Sequence, residues 1–210
     1  TNGSGNGLID FYLIKTNSSG SIQWQETFGG PSNDIAYSVQ ETNDGGFIIT
    51  GEYYNSGAGM GTQVYLVKTT SNGSLQWENT FGSTGTEKGF EVKETSDGGY
   101  IIAGQTNSFG SGGIDAYLIK TDSNGDSLWT QTYGNQNNDI AYSVSLTDDG
   151  GYIIAGEYEN TSNNIDVWVI KTDSNGFQQW DQTIDGAGID YANSIKQTND
   201  SGYIIAGTKD

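Results

Sequence analysis

The sequence predicts an all-β fold built from a repeated unit. Lysines recur in near-identical contexts at spacings of 53, 52 and 51 residues: Lys15, Lys68, Lys120 and Lys171. A tryptophan stands nine residues after each of them: Trp24, Trp77, Trp129 and Trp180. Glycine-rich turn signals separate short Ile/Val-rich runs, and no window sustains the apolar period of about 3.6 residues that marks a helix. A repeat of about 50 residues is typical of a supersecondary unit that must stack on its neighbours to bury its apolar face.

The repeat that spans residues 34–82 shows the order of the elements within each unit. Four strands, lettered A to D, follow one another at residues 36–42, 47–53, 64–69 and 74–81. Asp44-Gly45-Gly46 lies between strands A and B, and Asn72-Gly73 lies between strands C and D. Both are hairpin signals, because glycine supplies the positive φ that tight turns require. The other copies repeat each step.

Four antiparallel strands per unit favour a β-propeller blade over a sandwich or a β-helix. The chain starts at strands C–D of one copy and finishes at strands A–B of another. We therefore predict one domain, residues 1–210, forming a four-bladed β-propeller closed by pairing N-terminal strands C–D with C-terminal strands A–B. Its predicted boundaries are residues 34–82, 87–134 and 139–186 for blades 1 to 3, and residues 1–30 with 189–210 for blade 4. The alternative is half of an eight-bladed ring made by two chains, whose split ends pair between molecules.

The amino-acid composition excludes several kinds of partner and of catalytic or metal site. The chain has 26 acidic residues, 8 lysines and a net charge of −18, so nucleic acid and anionic membranes are not expected as partners. No apolar run reaches the ~20 residues of a membrane span. The chain has no cysteine or histidine, which excludes thiolate catalysis, disulfides, Cys/His zinc sites and histidine acid–base chemistry. Met60 is the only methionine, so we expect a processed or excised chain, and five Asn-x-Ser/Thr sequons favour export.

Most recurring residues have a structural interpretation. The four tryptophans are expected to pack blade against blade rather than to stack on sugars, and Trp168 is expected to be a core variant of a recurring tyrosine. The four lysines are expected to form ion pairs or to span a strand edge. A recurring aspartate in the A–B turns is expected to bind turn amides: Asp44, Asp97, Asp149 and Asp200.

A second acidic series precedes strand A in every copy: Asp34, Glu87, Asp139 and Asp190. One interpretation is loop anchoring through backbone N–H groups. The other is a ring of four carboxylates at one mouth of the propeller channel, which would hold Ca²⁺ as a cofactor through oxygen ligands.

The phrases DGGYIIAG and YLIKTDSNG, with the ending W-x-x-T-[FY]-G, resemble a repeat found in propeller proteins that are secreted or displayed at the surface of archaea and bacteria. The resemblance covers essentially the whole chain. It implies a surface-exposed structural or adhesive module and names no ligand.

We therefore expect a non-enzymatic, extracellular or cell-surface propeller that acts as a structural or interaction unit. Its expected partners are other proteins or copies of itself, with glycans as further candidates. The alternative function is a lectin-like propeller with ligand pockets between blades. Specificity is expected where the copies differ, in the loops at residues 55–62, 107–113 and 159–164.

Overall fold

A computed structural model describes residues 8–54, 61–162, 164–184, 186 and 188–210. This described part is all-β, as predicted, and contains sixteen strands and no helix. The first eight strands are β1 (Phe11–Thr16), β2 (Ile22–Phe28), β3 (Asp34–Glu41), β4 (Phe47–Tyr54), β5 (Thr62–Thr69), β6 (Leu75–Phe81), β7 (Lys88–Glu94) and β8 (Tyr100–Thr106). The second eight are β9 (Asp115–Thr121), β10 (Ser127–Tyr133), β11 (Asp139–Leu146), β12 (Tyr152–Glu159), β13 (Ile165–Thr172), β14 (Gln178–Ile184), β15 (Tyr191–Gln197) and β16 (Tyr203–Thr208). Within the described ranges, no helix is long and apolar enough to cross a membrane.

The strands form five antiparallel sheets, numbered I to V along the chain. Sheets II, III and IV are four-stranded meanders made of β3–β6, β7–β10 and β11–β14, in which the strands take the places A to D in chain order. Sheets I and V have two strands each: β1–β2, which correspond to strands C–D, and β15–β16, which correspond to strands A–B. The chain is thus a repeated antiparallel sheet architecture.

The A–B hairpins turn at the predicted glycines. Gly45, Gly98 and Gly150 have φ values of 78°, 80° and 82°. Sheet V carries Ser201 at this place with a φ of 65°, the one positive φ of a non-glycine residue among the described residues. The turn sequence therefore produces the same backbone path in all four copies, although a serine is strained there.

The hydrophobic core lies between successive sheets. Ile101 and Leu118 of sheet III, for example, pack with Ile154 and Ile170 of sheet IV. Each recurring tryptophan stacks edge-on or tilted against the first residue of strand B in the next sheet, which confirms the predicted packing role. The ring centroids lie 5.6, 5.7, 6.1 and 5.8 Å apart in Trp24–Phe47, Trp77–Tyr100, Trp129–Tyr152 and Trp180–Tyr203. Trp168 is buried, as expected for a core variant.

The same backbone hydrogen bond recurs between each sheet and the next. The amide that begins strand A donates to the carbonyl beside the start of strand C in the preceding sheet. The N···O distances are 2.7, 2.8, 2.7 and 2.8 Å for Asp34–Ile9, Glu87–Thr62, Asp139–Ile114 and Asp190–Ile165. The first strands of successive sheets also contact one another, as β3 does with β7 and β7 with β11.

The predicted pairing of the chain ends was wrong. Sheets I and V remain separate two-stranded sheets, and no sheet closes the array into a ring. Each end sheet instead stacks on its neighbour in sequence: Phe11 packs on Tyr65 at 4.8 Å, and Ile195 is buried with Val169 of sheet IV. The repeat fixes this local stacking, but it does not fix the rotation between sheets, and a ring of four needs about 90° per blade.

Candidate functional site

The four predicted carboxylates are buried, each beside the start of its strand A. Asp34 accepts hydrogen bonds from the backbone N–H groups of Gly30 (2.6 Å) and Tyr54 (2.9 Å). Asp139 does the same with Asn135 (2.6 Å) and Glu159 (3.0 Å). Each carboxylate therefore joins the loop that precedes strand A to the end of strand B.

The other two members of this series make related contacts. Glu87 accepts from Ser83 N–H (2.9 Å) and from the Thr106 hydroxyl (3.0 Å). Asp190 accepts from Asp210 N–H (2.9 Å), and the Lys209 Nζ lies 3.9 Å from its second oxygen. These contacts match the loop-anchoring interpretation.

The structure does not gather the four carboxylates into one group. In the described ranges, no three or more His, Cys, Asp or Glu side chains lie together as a set that could hold a metal ion. The ring of calcium ligands at Asp34, Glu87, Asp139 and Asp190 therefore stays a prediction from the sequence.

A second acidic residue lies beside the anchoring carboxylate at two of the junctions. A Cβ placed on Gly134 would come within 2.5 Å of Asp115 Oδ1 and 2.6 Å of Asp139 Oδ2, so both carboxylates flank this glycine. Burial, reinforced by the charge of Asp115, raises the pKa of Asp139 to about 6. Asp10 and Asp34 flank Gly29 in the same way, and burial raises the pKa of Asp34. Asp34 and Asp139 therefore each bind a proton more readily than a free aspartate does.

A row of aromatic side chains, missed in the sequence analysis, runs across the first strands of sheets II to V. The ring centroids of Tyr37 and Phe90 lie 5.3 Å apart, those of Phe90 and Tyr142 5.2 Å, and those of Tyr142 and Tyr191 6.3 Å. We call these four residues the aromatic row. Tyr37 is 42% exposed at the open end of the row.

β-Bulges in the first strands position three of the four residues of the aromatic row. The pairing register shifts by one residue between Ala36 and Ser38, and equivalent shifts occur in β7, β11 and β15. Tyr37, Phe90 and Tyr142 are the extra residues at these bulges. The signal in the sequence was an aromatic residue three positions after each acid of the anchoring series in three of the four copies.

Carboxylates line the aromatic row. The Tyr37 hydroxyl donates to Glu52 Oε1 (3.1 Å), and Lys88 Nζ lies 2.9 Å from Glu52 Oε2. Burial, with the charge and hydrogen bond of Glu52, raises the pKa of Tyr37 to about 12. Burial also raises the pKa of Glu157, which pairs with Tyr142. The row thus offers aromatic faces beside hydrogen-bond acceptors, a combination that suits amphipathic ligands.

A second recurring contact is made by the strand C lysines and the A–B turn aspartates, which the sequence analysis considered separately. The strand C lysine forms an ion pair with the A–B turn aspartate of its own sheet at 2.9 Å, in Lys68–Asp44, Lys120–Asp97 and Lys171–Asp149. Each aspartate also accepts from a turn amide and a threonine hydroxyl, as Asp44 does from Gly46 and Thr42. These ion pairs lock the two hairpins of a four-stranded sheet together.

The loops in which the copies differ are only partly described. Residues 55–60 and 163 lie outside the described residues. In the loop at residues 107–113, the Ser108 hydroxyl accepts from Gly85 N–H (2.9 Å), and the Phe109 ring lies 5.9 Å from Tyr117. This loop therefore packs on its own molecule, with Phe109 partly exposed.

Comparison with known proteins supports the fold and does not assign a function. No family model matches the chain, and no curated protein matches it. A solved structure from Bacteroides caccae, described as a protein of unknown function, is similar with a TM-score of 0.55 and 10% sequence identity. The similarity covers 94% of this chain and 65% of that protein, so the chain spans about two thirds of its length.

Proposed function

We propose that the chain is a non-enzymatic interaction module of propeller-type blades that works outside the cell or at its surface. This proposal rests on the contacts that the recurring polar residues make. Three lysine–aspartate pairs and four anchoring carboxylates hold sheets and loops together. The recurring polar residues therefore stabilise the fold. The surfaces that remain for binding other molecules are the aromatic row and the two end sheets.

The contacts between sheets support the propeller-type arrangement. Strand A of each following sheet packs against the inner strands of the preceding sheet, as β7 does on β3 and β4, and β11 on β7 and β8. The sheets thus fan out from their first strands, which is how blades surround a central axis. The resemblance to repeats of secreted and surface proteins and the net charge of −18 fit an exposed location.

Surface display can be tested on intact cells of the source organism. Brief protease treatment should release peptides of this protein into the medium while a cytoplasmic marker protein stays intact. Recovery of the peptides only after lysis would contradict the proposed location. This experiment does not depend on what the module binds.

Carbohydrate binding is a second candidate function, because the aromatic row combines stacking faces with carboxylate acceptors. A glycan array should identify a ligand, and isothermal titration should measure its affinity. Tyr37→Ala and Tyr142→Ala should each weaken binding roughly tenfold, since a stacked ring contributes about 1–1.5 kcal/mol. Phe109→Ala is the matched control, because Phe109 is a partly exposed aromatic outside the row. Equal losses in all three variants, or no ligand on the array, would count against this function.

A further inference from the structure

We propose that the chain associates head to tail with a second copy of itself: β16 of one copy pairs with β1 of the next, and sheets V and I together form a four-stranded sheet. This inference rests on the proposed function as an interaction module and names its partner. The three complete sheets show the same junction with both halves present.

Among the described residues, no strand pairs with the facing edges of β1 and β16, whereas their equivalents are paired there. In the complete sheets, strand B pairs with strand C along its whole length, as β8 does with β9. Ile101 on that strand B is fully buried, whereas the equivalent Ile204 on β16 is 63% exposed. Tyr117 on that strand C is buried, whereas the equivalent Tyr12 on β1 is 54% exposed. Unpaired edges with apolar side chains are templates for strand addition.

The two half-sheets carry complementary charges that are paired only in the complete sheets. Lys15 is the counterpart of Lys68, Lys120 and Lys171, and Asp200 is the counterpart of the aspartates that bind them. Lys15 Nζ donates to the Thr16 carbonyl (3.3 Å), just as Lys120 Nζ donates to Thr121 (2.8 Å). Asp200 already holds its turn through Thr198 and the Gly202 amide (3.1 Å). Bringing sheet V beside sheet I would place this lysine and this aspartate together.

The face of sheet II toward sheet I is also uncovered at strand A. Val92, Val144 and Ile195 are 0%, 0% and 2% exposed, and each packs in a core cluster with strands B and C of the preceding sheet. The equivalent Val39 is 55% exposed and lies at an apolar pocket of about 160 Å³, which Phe11 and Leu13 of β1 also line. Strand β16 of a second copy would supply the missing strand B over Val39, with β15 beside it as strand A.

The complete sheets also specify one contact at this face. The amides of Val92 and Ile195 donate to Ser38 Oγ (3.5 Å) and Ser143 Oγ (3.1 Å) of the preceding strand A. By the same equivalence, the Val39 amide would donate to Ser194 of the second copy. In the B–C register of the complete sheets, the strand pairs would be Tyr203–Thr16, Ile204–Lys15, Ile205–Ile14, Ala206–Leu13, Gly207–Tyr12 and Thr208–Phe11.

The junction uses different surfaces on the two copies, so it is heterologous and either closes into a ring or grows into a chain. Two copies contribute six complete sheets and two composite ones. The eight blades that result match the upper end of the usual range for propellers, about 4–8. A closed two-copy ring is therefore the expected product.

Cysteine pairing tests the junction directly, because the chain has no cysteine of its own. Ala206→Cys and Leu13→Cys are introduced into separate full chains, which are mixed and oxidised. A disulfide between the two variants, seen by non-reducing electrophoresis and mass spectrometry, is expected because cross-strand neighbours lie about 4.5–5.5 Å apart. The double variant A103C/L118C is the positive control, since Ala103 and Leu118 are paired inside sheet III. Gln23→Cys on β2, mixed with A206C, is the negative control.

Charge reversal provides a second measurement that does not depend on disulfide formation. Lys15→Glu should weaken association in sedimentation velocity by roughly tenfold or more, because it places a carboxylate against Asp200. The double variant K15E/D200K should recover association. Lys93→Glu is the matched control, since it makes the same charge change at a partly exposed residue of sheet III, away from the junction.

Two results would overturn the proposal. One is a monomer at all concentrations up to the millimolar range. The other is a disulfide that forms inside single chains of the A206C/L13C double variant and never between copies. Both leave the surface-display experiment untouched, so failure of this inference and failure of the proposed function are distinguishable.

Discussion

Sheets III and V contain the same five residues, Tyr-Ile-Ile-Ala-Gly, in strand B, and the two strands have opposite surroundings. In β8, residues Tyr100 to Gly104 are buried between β7, β9 and the neighbouring sheets. In β16, the same side chains have a partner on one edge only, and Ile204 is exposed. The local sequence therefore produces the hairpin in both sheets. The burial of its side chains depends on whether a strand C pairs with the other edge of strand B.

The largest difference is expected for the equivalent isoleucines. Ile101→Ala should destabilise the fold by about 2–5 kcal/mol, because it opens a cavity in a closed core. Ile204→Ala should change stability by less than about 0.5 kcal/mol when the chain is monomeric, because this side chain is largely in water. Chemical denaturation at low protein concentration measures both free energies of unfolding. Similar losses would mean that sheet V is completed within a single chain.

Lys120 of sheet III and its equivalent Lys15 of sheet I differ in the same way. Lys120→Met should cost about 1–3 kcal/mol, because the buried end of Lys120 binds both Asp97 and a backbone carbonyl. Lys15→Met should be nearly neutral in the monomer, since Lys15 makes only the carbonyl contact among those described. Thermal and urea unfolding of the two variants checks this difference. A large loss for Lys15→Met would show that Lys15 already has a carboxylate partner.

The turn aspartates predict an acid-dependent loss of stability. Burial tends to raise the pKa of Asp97. Hydrogen bonds from Thr95, Lys120 and the Gly99 amide outweigh this effect and lower the pKa to about 2. Its folded pKa is below the unfolded value, so its contribution is present above about pH 4 and is lost as pH falls toward 2. Asp97→Asn should flatten the pH dependence of unfolding between pH 4 and 2. An unchanged slope in this variant would argue that other carboxylates dominate.

The smallest effect is expected at the A–B turn of sheet V. Ser201→Gly should stabilise the chain by about 0.5–1 kcal/mol, because serine has a positive φ there that glycine adopts without strain. Gly98→Ser is the reciprocal variant at the same place in sheet III and should lose a similar amount. Melting temperatures of the two variants should move in opposite directions. A shift in the same direction would show that turn strain does not decide either result.

Local and periodic features were predictable from the sequence. Gly45 and Gly98 marked their turns, Trp77 marked the contact between sheets, and Lys120 marked an ion pair, because each depends on neighbours set by one repeat. Because Asp97 and Lys120 both recur in every copy, their ion pair could also have been predicted, although the sequence analysis treated the two residues separately.

Two features were beyond this reasoning for physical reasons. Closure depends on the rotation between sheets, which accumulates from many small packing contacts and has no signature at one residue. The aromatic row depends on bulges, and a bulge at Tyr37 breaks the alternation of faces on which strand interpretation rests. The metal prediction for Asp34 and its equivalents stays a prediction, because a repeat shows that the four acids are equivalent but not how far apart they lie.

Hydrogen exchange of β16 as a function of concentration tests the central claim most directly, that sheets I and V are halves completed by another copy. The account predicts that the amides of Ile101 and Ile102 are protected at every concentration. The amides of β16 that β15 does not bond should exchange freely at low concentration and become protected as copies associate, together with those of β1. Protection of both strands at every concentration would mean closure within one chain, and exposure at every concentration would mean that no copy joins, so either result would contradict the account.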